Sequence, residues 1–494
     1  MKLNKFIGLS CIVCFVLVSL FNCKVDFKRS FIPFVSIAIT LQSQGSSNAS
    51  LGGTTGGTSP VSSSSKSITS FSFESSSTGL NKAYTGTISG TTINIEIPYG
   101  LGLTLVPSFT HTGKSITVGS TAQVSGTTSN LFSPNVTYRV TAEDGSTQDY
   151  TVIVYQIAPV ADTGQTACFG TPHPQWVTPG SCSSFTAMFP YQDGELVDFP
   201  NAKGIQISST NSGYPNDPIN RDTLKGIVWK TCHEGQTGLT CSGGTASSVN
   251  HSTATTLCNN LNSANAGAGY AGLKNWRLPN VQELSQVIEM NGSANSTNYW
   301  NSTLFPNPPT PGNSIRWTSN VLLPAATNAM ISNDYISNQI IGNNGLVHCI
   351  SGPTSPSFDM VDNGDGTILD KRTKLIWQKC ANGQTNSDCS GGAFNTTNWS
   401  NSLLACKNLV LAGKSWRLPN LNEMVTLLDL SLTTTIKVNN TLFPNITGGQ
   451  FDNSTSALAN LAYTAIFNVN FNRLEGISGK GVGNTYNSRC VAGP

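Results

Sequence analysis

One pattern of tryptophans and cysteines is written twice in this chain, and whatever the chain folds into must accommodate that pattern twice. Ile227-Val228-Trp229-Lys230-Thr231-Cys232 is answered by Leu375-Ile376-Trp377-Gln378-Lys379-Cys380. Cys232, Cys241 and Cys258 recur 148 positions on, at Cys380, Cys389 and Cys406. Trp276-Arg277-Leu278-Pro279-Asn280 returns 140 positions on, at Trp416-Arg417-Leu418-Pro419-Asn420, so the first copy carries eight extra residues before it. Thr303–Asn307 and Thr441–Asn445 share the sequence Thr-Leu-Phe-Pro-Asn, and the copies close at Cys349 and Cys490. Self-similarity of this kind marks one structural unit used twice, here of about 130 residues.

Parts of each unit follow from its residues. Thr253–Leu261 and Trp399–Val410 read as helices that carry the third cysteine. Asn280 with Glu283, and Asn420 with Glu423, have the spacing of a capping box. In that motif the two side chains each satisfy a backbone N–H that the first helical turn leaves unpaired. Val281, Leu284 and Ile288 then give one apolar face, matched by Leu421, Met424 and Leu428. A motif directly before a helix start serves packing and capping. On that reading the Trp belongs in the core, the Pro sets the turn, and Arg277 and Arg417 are structural rather than ligand contacts.

The chain holds 13 Cys in 494 residues. Lys2 and Lys5 precede an apolar run from Phe6 to Phe21, shorter than the roughly 20 residues a bilayer span needs, so it reads as an export signal. It ends in Leu20-Phe21-Asn22-Cys23, a loose form of the bacterial lipobox. Residues 1–22 are therefore expected to be removed and Cys23 lipidated. Cys11 and Cys14 leave with the signal. The remaining ten are Cys168, Cys182, Cys232, Cys241, Cys258, Cys349, Cys380, Cys389, Cys406 and Cys490. That even number suits five disulfides in an oxidising compartment, with connectivity left open by spacing.

Residues 23–66 read as the lipidated N-terminus and a Ser/Gly/Thr-rich tether. The apolar stretch Phe31–Leu41 within it is too short to span a bilayer, and either lies on the membrane or packs as a strand. From 67 to 157 the pattern has period two, as in Thr92–Ile97 and Tyr150–Val154, with Gly90, Gly119 and Gly126 between runs. This predicts an antiparallel β-sandwich, with one hairpin turning at Asp144-Gly145. The domain resembles the Ig-like or cadherin-like stalk repeats of bacterial surface proteins. The two repeated modules then occupy 158–353 and 354–494.

The repeated residues resemble the Lcl C-terminal domain family, named for a collagen-like bacterial adhesin. The marks are Trp229 and Trp377 before the first cysteine of each copy, Trp-Arg-Leu-Pro opening a helix, and the closing cysteine segment. Asp162–Cys168 and Asp362–Asp370 look like that family's lead-in segments. The resemblance covers about residues 160–494. It implies a C-type-lectin-like α+β fold for each module, and so a multidomain chain in which a β-sandwich precedes two disulfide-stapled modules. It also implies the pairs Cys258–Cys349 and Cys406–Cys490, with Cys168–Cys182, Cys232–Cys241 and Cys380–Cys389 local. For function it implies attachment, with sulfated glycans as one ligand class.

Catalytic signatures are absent from the sequence. His111, His173, His233, His251 and His348 all fall outside the second copy, so chemistry common to both copies cannot use histidine. Ten paired cysteines leave neither a thiolate nucleophile nor a zinc site, and no Gly-x-Ser-x-Gly, His-Glu-x-x-His or phosphate-binding loop occurs. A net charge of +2 with 11% charged residues gives no reason to expect nucleic acid. Asp362, Asp365 and Asp370 are the candidate oxygen ligands for calcium, against the plainer reading of an Asp-Gly turn between strands. Lys371, Arg372, Lys374 and Lys379 are the candidate contacts to a sulfated glycan or an acidic host protein, against a solvated face. The expectation is a non-catalytic lipoprotein, anchored by lipid in the outer membrane and exposed at the surface, that binds extracellular matrix or glycan. The alternatives are an envelope scaffold and an enzyme acting on envelope glycans.

Overall fold

A computed structural model of the chain describes residues 62–75, 83–99, 101–166, 168, 182, 189–289, 300–309, 316–322, 327–331, 336–340, 342–352, 354, 356, 358–434, 436–446, 449–456, 463–468, 473–479 and 485–493. At 206–208, 322, 327–331, 336–340, 456, 463–468 and 473–479 it describes backbone alone. The signal, Cys23, the stretch 31–41 and most of the tether lie outside these residues. Among the described residues no helix is long and apolar enough to cross a membrane.

The N-terminal domain is built of short strands in two main sheets around one core. Ile68–Phe73 lies between Tyr84–Thr85 and Pro107–His111 in one sheet. The other holds six strands, with Thr92–Pro98, Thr147–Ile157 and Val136–Thr141 at its centre. Alternate residues point inward, so Phe71, Phe73, Ile93, Ile95, Ile97, Tyr138, Val140 and Val152 are buried together. The hairpin between Val136–Thr141 and Thr147–Ile157 turns where the sequence indicates. Gly145 has φ +83°, and Asp144 Oδ1 accepts from the Ser146 N–H at 2.8 Å. The expectation of an antiparallel sheet fails at one seam: Thr92–Pro98 pairs in parallel with Thr147–Ile157. Periodicity reports which face a residue occupies and carries no information on strand direction, so a parallel neighbour left no trace in it.

Each repeated module has the same parts at the offsets read from the sequence. In the first, Tyr214–Asp222, Ile227–Lys230, Ile350–Ser351 and Trp276–Arg277 are consecutive in one sheet. In the second, Thr367–Asp370, Ile376–Gln378 and Val491–Ala492 are consecutive, and Arg417 bridges to Val491. Helix α1 (His251–Asn260) and its counterpart α3 (Trp399–Lys407) are capped by Asn250 and Asn398. Both capping boxes form, opening α2 (Val281–Ser285) and α4 (Leu421–Thr426). The five disulfides are Cys168–Cys182, Cys232–Cys241, Cys258–Cys349, Cys380–Cys389 and Cys406–Cys490, the pairing the resemblance implies. The two long ones tie α1 and α3 to the closing strands.

The modules are not separate beads. Val281, Leu284 and Ile288 of the first share one buried cluster with Leu421, Met424, Val425 and Leu428 of the second, and Trp229 and Trp377 belong to it as well. The apolar faces read from the sequence are therefore each other's partners, because a two-turn helix cannot bury its stripe alone.

Candidate functional site

The shared core leaves a cleft where the modules meet, of about 570 Å³. Its first wall is the start of α2, with Asn280, Gln282 and Asn320. Its second is the stretch after α4, with Leu428, Asp429, Asn439 and Leu442. The segment joining the modules closes it with Phe358, Asp359 and Met360, and Arg372 lies below.

Hydrogen bonding decides what these side chains offer. Asn280 Oδ1 accepts from the Glu283 N–H at 2.8 Å, and Asn320 Oδ1 accepts from the Val281 N–H at 2.7 Å. Asn439 Oδ1 accepts from the Thr441 N–H at 3.0 Å. A backbone N–H can only donate, so all three amides are fixed with oxygen toward the backbone, and the –NH₂ is the group each has to offer a ligand. Two carboxylates add acceptors. Asp429 Oδ1 takes the Ser431 hydroxyl at 2.5 Å, and Asp359 stands 3.4 Å from the Lys371 ammonium. Phe358 is an aromatic platform with the Arg372 guanidinium 5.0 Å from its centre. Leu428, Leu442 and Met360 supply apolar surface between these groups.

The residues singled out by sequence are not brought together. Arg372 is buried and forks onto Asp370, with Nε to Oδ1 at 2.9 Å and Nη2 to Oδ2 at 2.8 Å. Lys374 reaches back to the N-terminal domain, where it pairs with Glu96 at 3.0 Å and lies over the Tyr155 ring. Lys379 pairs with Asp362 at 2.7 Å, and Lys371 with Asp359. The four cations therefore face four different acids and form no common anion-binding surface. Asp362, Asp365 and Asp370 are also apart in role. The Lys379 ammonium holds the Asp362 carboxyl below the usual carboxylate range. Asp365 Oδ1 accepts from Thr367 within its own turn at 2.5 Å, and Asp370 is taken by Arg372. Among the described residues no group of three or more His, Cys, Asp or Glu could hold a metal ion.

Arg277 and Arg417 are bound inside the fold. Arg277 forks onto Glu283 at 2.8 and 2.7 Å, and Arg417 forks onto Glu423 with Nη1 to Oε2 at 2.6 Å. The first copy also buries His233 and His348 beside Trp300, with His348 stacked on that ring at 4.9 Å. Burial holds both imidazoles well below their ordinary value, His348 at about 3. Arg489 fills the corresponding space in the second copy, where it donates to Gln378 O at 2.6 Å and lies over Phe443.

Comparison with known proteins fits this construction. The model of the Lcl C-terminal domain matches residues 219–348 and again 366–492, more than half of the chain. The chain belongs to the Lcl C-terminal domain family. Residues 68–154 match a second model, described as SGBP, N-terminal. No curated protein matches the chain. Two solved structures are similar at a distance. One, from Bacteroides thetaiotaomicron, is described as a candidate glycoside hydrolase, with 16% identity over 39% of this chain and 60% of that one, at a TM-score of 0.16. The other is a DUF4623 family protein from Bacteroides eggerthii, with 10% identity over 64% of this chain and 57% of that one, at a TM-score of 0.14. At those scores neither bears on what the two Lcl modules do.

Gln282, Asn320, Phe358, Asp429 and Asn439 were not singled out by the sequence reading. A signal for one of them lay in the differences between the Lcl copies, Gln282 standing where the second has Asn422; only the strand registers and hydrogen bonds match Asn320 with Thr455 and Phe358 with Lys203.

Proposed function

We propose that this protein is a cell-envelope glycan-binding protein that holds its sugar in the cleft between the two Lcl modules. The lining of that cleft carries the reading. Fixed amide donors, carboxylate acceptors, one aromatic face and intervening apolar surface match the alternating hydroxyl and C–H surfaces of a sugar. The SGBP match supports it, being to the N-terminal domain of glycan-binding proteins. Because Arg372 is neutralised by Asp370 and both remaining charges in the cleft are acidic, the favoured ligand is a neutral glycan rather than a sulfated one. Each cleft carboxylate already has a partner, which supports binding without turnover. On this reading the modules are C-type-lectin-like, the N-terminal domain is an Ig-like stalk, and lipid at Cys23 anchors the chain at the outer surface.

The test is binding of the full chain to a panel of glycans and matrix proteins at low and high salt, with a parallel assay for released sugar. Saturable glycan binding that survives high salt, without released product, is expected. Binding to matrix proteins alone, or loss of all binding at high salt, would return weight to Lys371–Lys379. Released sugar would make the protein an enzyme.

A further inference from the structure

Asp222 and Asp370 stand at the same place in the two modules, at the start of a tight turn between adjacent strands. The Gly226 N–H donates to Asp222 O at 2.8 Å, and the Lys374 N–H donates to Asp370 O at 2.7 Å. In each turn the carboxylate also takes the N–H two residues on, from Leu224 in the first module and from Arg372 in the second, both at 3.0 Å. Both acids are buried, so each needs a cation beside it. The first module supplies Lys225, whose ammonium lies 3.3 Å from Asp222 Oδ2. The second has Thr373 at that position and supplies Arg372 instead. Neutralising the turn therefore does not require an arginine at 372, and its presence there calls for another reason.

The hydrogen bonds of the guanidinium give that reason. A guanidinium carries five N–H groups in one plane. Arg372 uses three of them: Nε donates to Asp370 Oδ1, and Nη2 donates to Asp370 Oδ2 and to Thr426 O, the last at 3.0 Å. These bonds hold the plane in place beside the Phe358 ring. The two N–H groups of Nη1 have no partner among the described residues. Arg489 also has an unmet nitrogen, but that one is sealed in the core. Arg372 lines the cleft, so Nη1 is the nitrogen it has to offer a ligand. Leu224, its counterpart in the first module, has no such group.

Resting on the glycan reading of this cleft, we propose that Arg372 anchors the sugar, with Nη1 donating to an uncharged oxygen of the ligand: a hydroxyl, ring or glycosidic oxygen. The donor is held in place before the ligand arrives, so this bond orders no further side chain on binding. Asp370 already meets the charge of Arg372, and Asp359 and Asp429 lie in the same cleft. A carboxylate or sulfate there meets three acids for one guanidinium, whereas a neutral oxygen gains a charge-assisted bond without that repulsion.

The first module supplies the control for the test. Arg372→Leu with Thr373→Lys converts the turn to the Asp-x-Leu-Lys pattern of residues 222–225 and leaves the net charge of the chain unchanged. It keeps a cation for Asp370 and removes Nη1. Arg372→Lys, which keeps an ammonium for Asp370 but no second nitrogen, is the companion variant, and near-ultraviolet circular dichroism checks both folds. Calorimetric titration of the full chain uses cellotetraose, xylotetraose, mannotetraose and galactotetraose, with tetragalacturonate as the charged probe. A neutral tetramer that binds the parent should bind the double variant at least about tenfold more weakly, as expected for loss of a hydrogen bond to a charged group. If the double variant does not fold, Arg372→Lys carries the same expectation. Undiminished affinity in a folded variant overturns the role of Arg372 and leaves the glycan reading standing. Tighter binding of tetragalacturonate than of every neutral tetramer overturns the assignment to an uncharged oxygen. No binding to these or to any glycan of the wider panel overturns both readings.

Discussion

Glu423 joins the cap of α4 to the buried Arg417, and replacing it gives a sharp test. Its side chain is fully buried, and its oxygens receive both arms of Arg417 and the Asn420 N–H, the last at 2.8 Å. Arg417 is itself buried, with its guanidinium 4.5 Å from the centre of the Phe199 ring. Glu423→Ala therefore leaves a desolvated cation without a partner and removes half of a capping box. Breaking a buried pair in this way costs about 3–5 kcal/mol, with about 0.5–2 kcal/mol expected for loss of a cap. Arg277, opposite Glu283, has a more exposed side chain, so Glu283→Ala should cost less, about 1–3 kcal/mol. Replacing both members, Arg417→Met with Glu423→Met, removes the orphaned charge and should bring stability back to within about 2 kcal/mol of the parent. Urea unfolding followed by tryptophan fluorescence reads these differences, because Trp229, Trp377 and Trp416 are all fully buried. A cost below about 1 kcal/mol for Glu423→Ala would refute the structural reading of the motif. So would an Arg417→Met variant that keeps its stability and loses ligand.

Other consequences are simpler. Replacing Cys406 and Cys490 by Ala opens a closure spanning 84 residues and should cost roughly 4–5 kcal/mol, against roughly 2–3 kcal/mol for the nine-residue Cys380–Cys389 closure, as thermal unfolding would show. Calorimetry should give one ligand per chain, since the face of α4 equivalent to the cleft wall on α2 is covered by Ala161 and Asp162, held by Asn422, and a stoichiometry of two would mean that this segment is displaced. Converting Lys371 and Lys379 to Gln should leave glycan affinity within a factor of about two, because their charges are met by Asp359 and Asp362. His233 and His348 are held neutral in the fold, whereas the unfolded chain takes up their protons below about pH 6.5. Stability should therefore fall as pH drops below about 6.5, by roughly 1 kcal/mol per unit for each histidine that stays neutral in the fold. Asp162 and Asp193, raised by burial, work in the opposite direction. Comparing the parent with a His233→Asn, His348→Gln variant in urea at several pH values isolates the histidines, and identical pH slopes would sink the assignment.

The sequence by itself determined whatever is covalent or local. The repeat, the even set of ten cysteines, both capping boxes and the hairpin at Asp144-Gly145 each depend on residues close in the chain or on identity alone. So did the burial of Trp276 and Trp416, which local spacing places before a helix. Tertiary structure decided the rest, because charge and shape at a site depend on what arrives from elsewhere. Lys371–Lys379 read as a basic cluster until Glu96, Asp359, Asp362 and Asp370 came to meet its members one by one. Asp162 lies in the lead-in of the first module, yet its carbonyl is held by Asn422 of the second, and no spacing rule reveals such a crossing. The open cleft is of the same origin: two short helices bury their stripes on each other, and the space beside them takes its chemistry from three segments far apart in the chain.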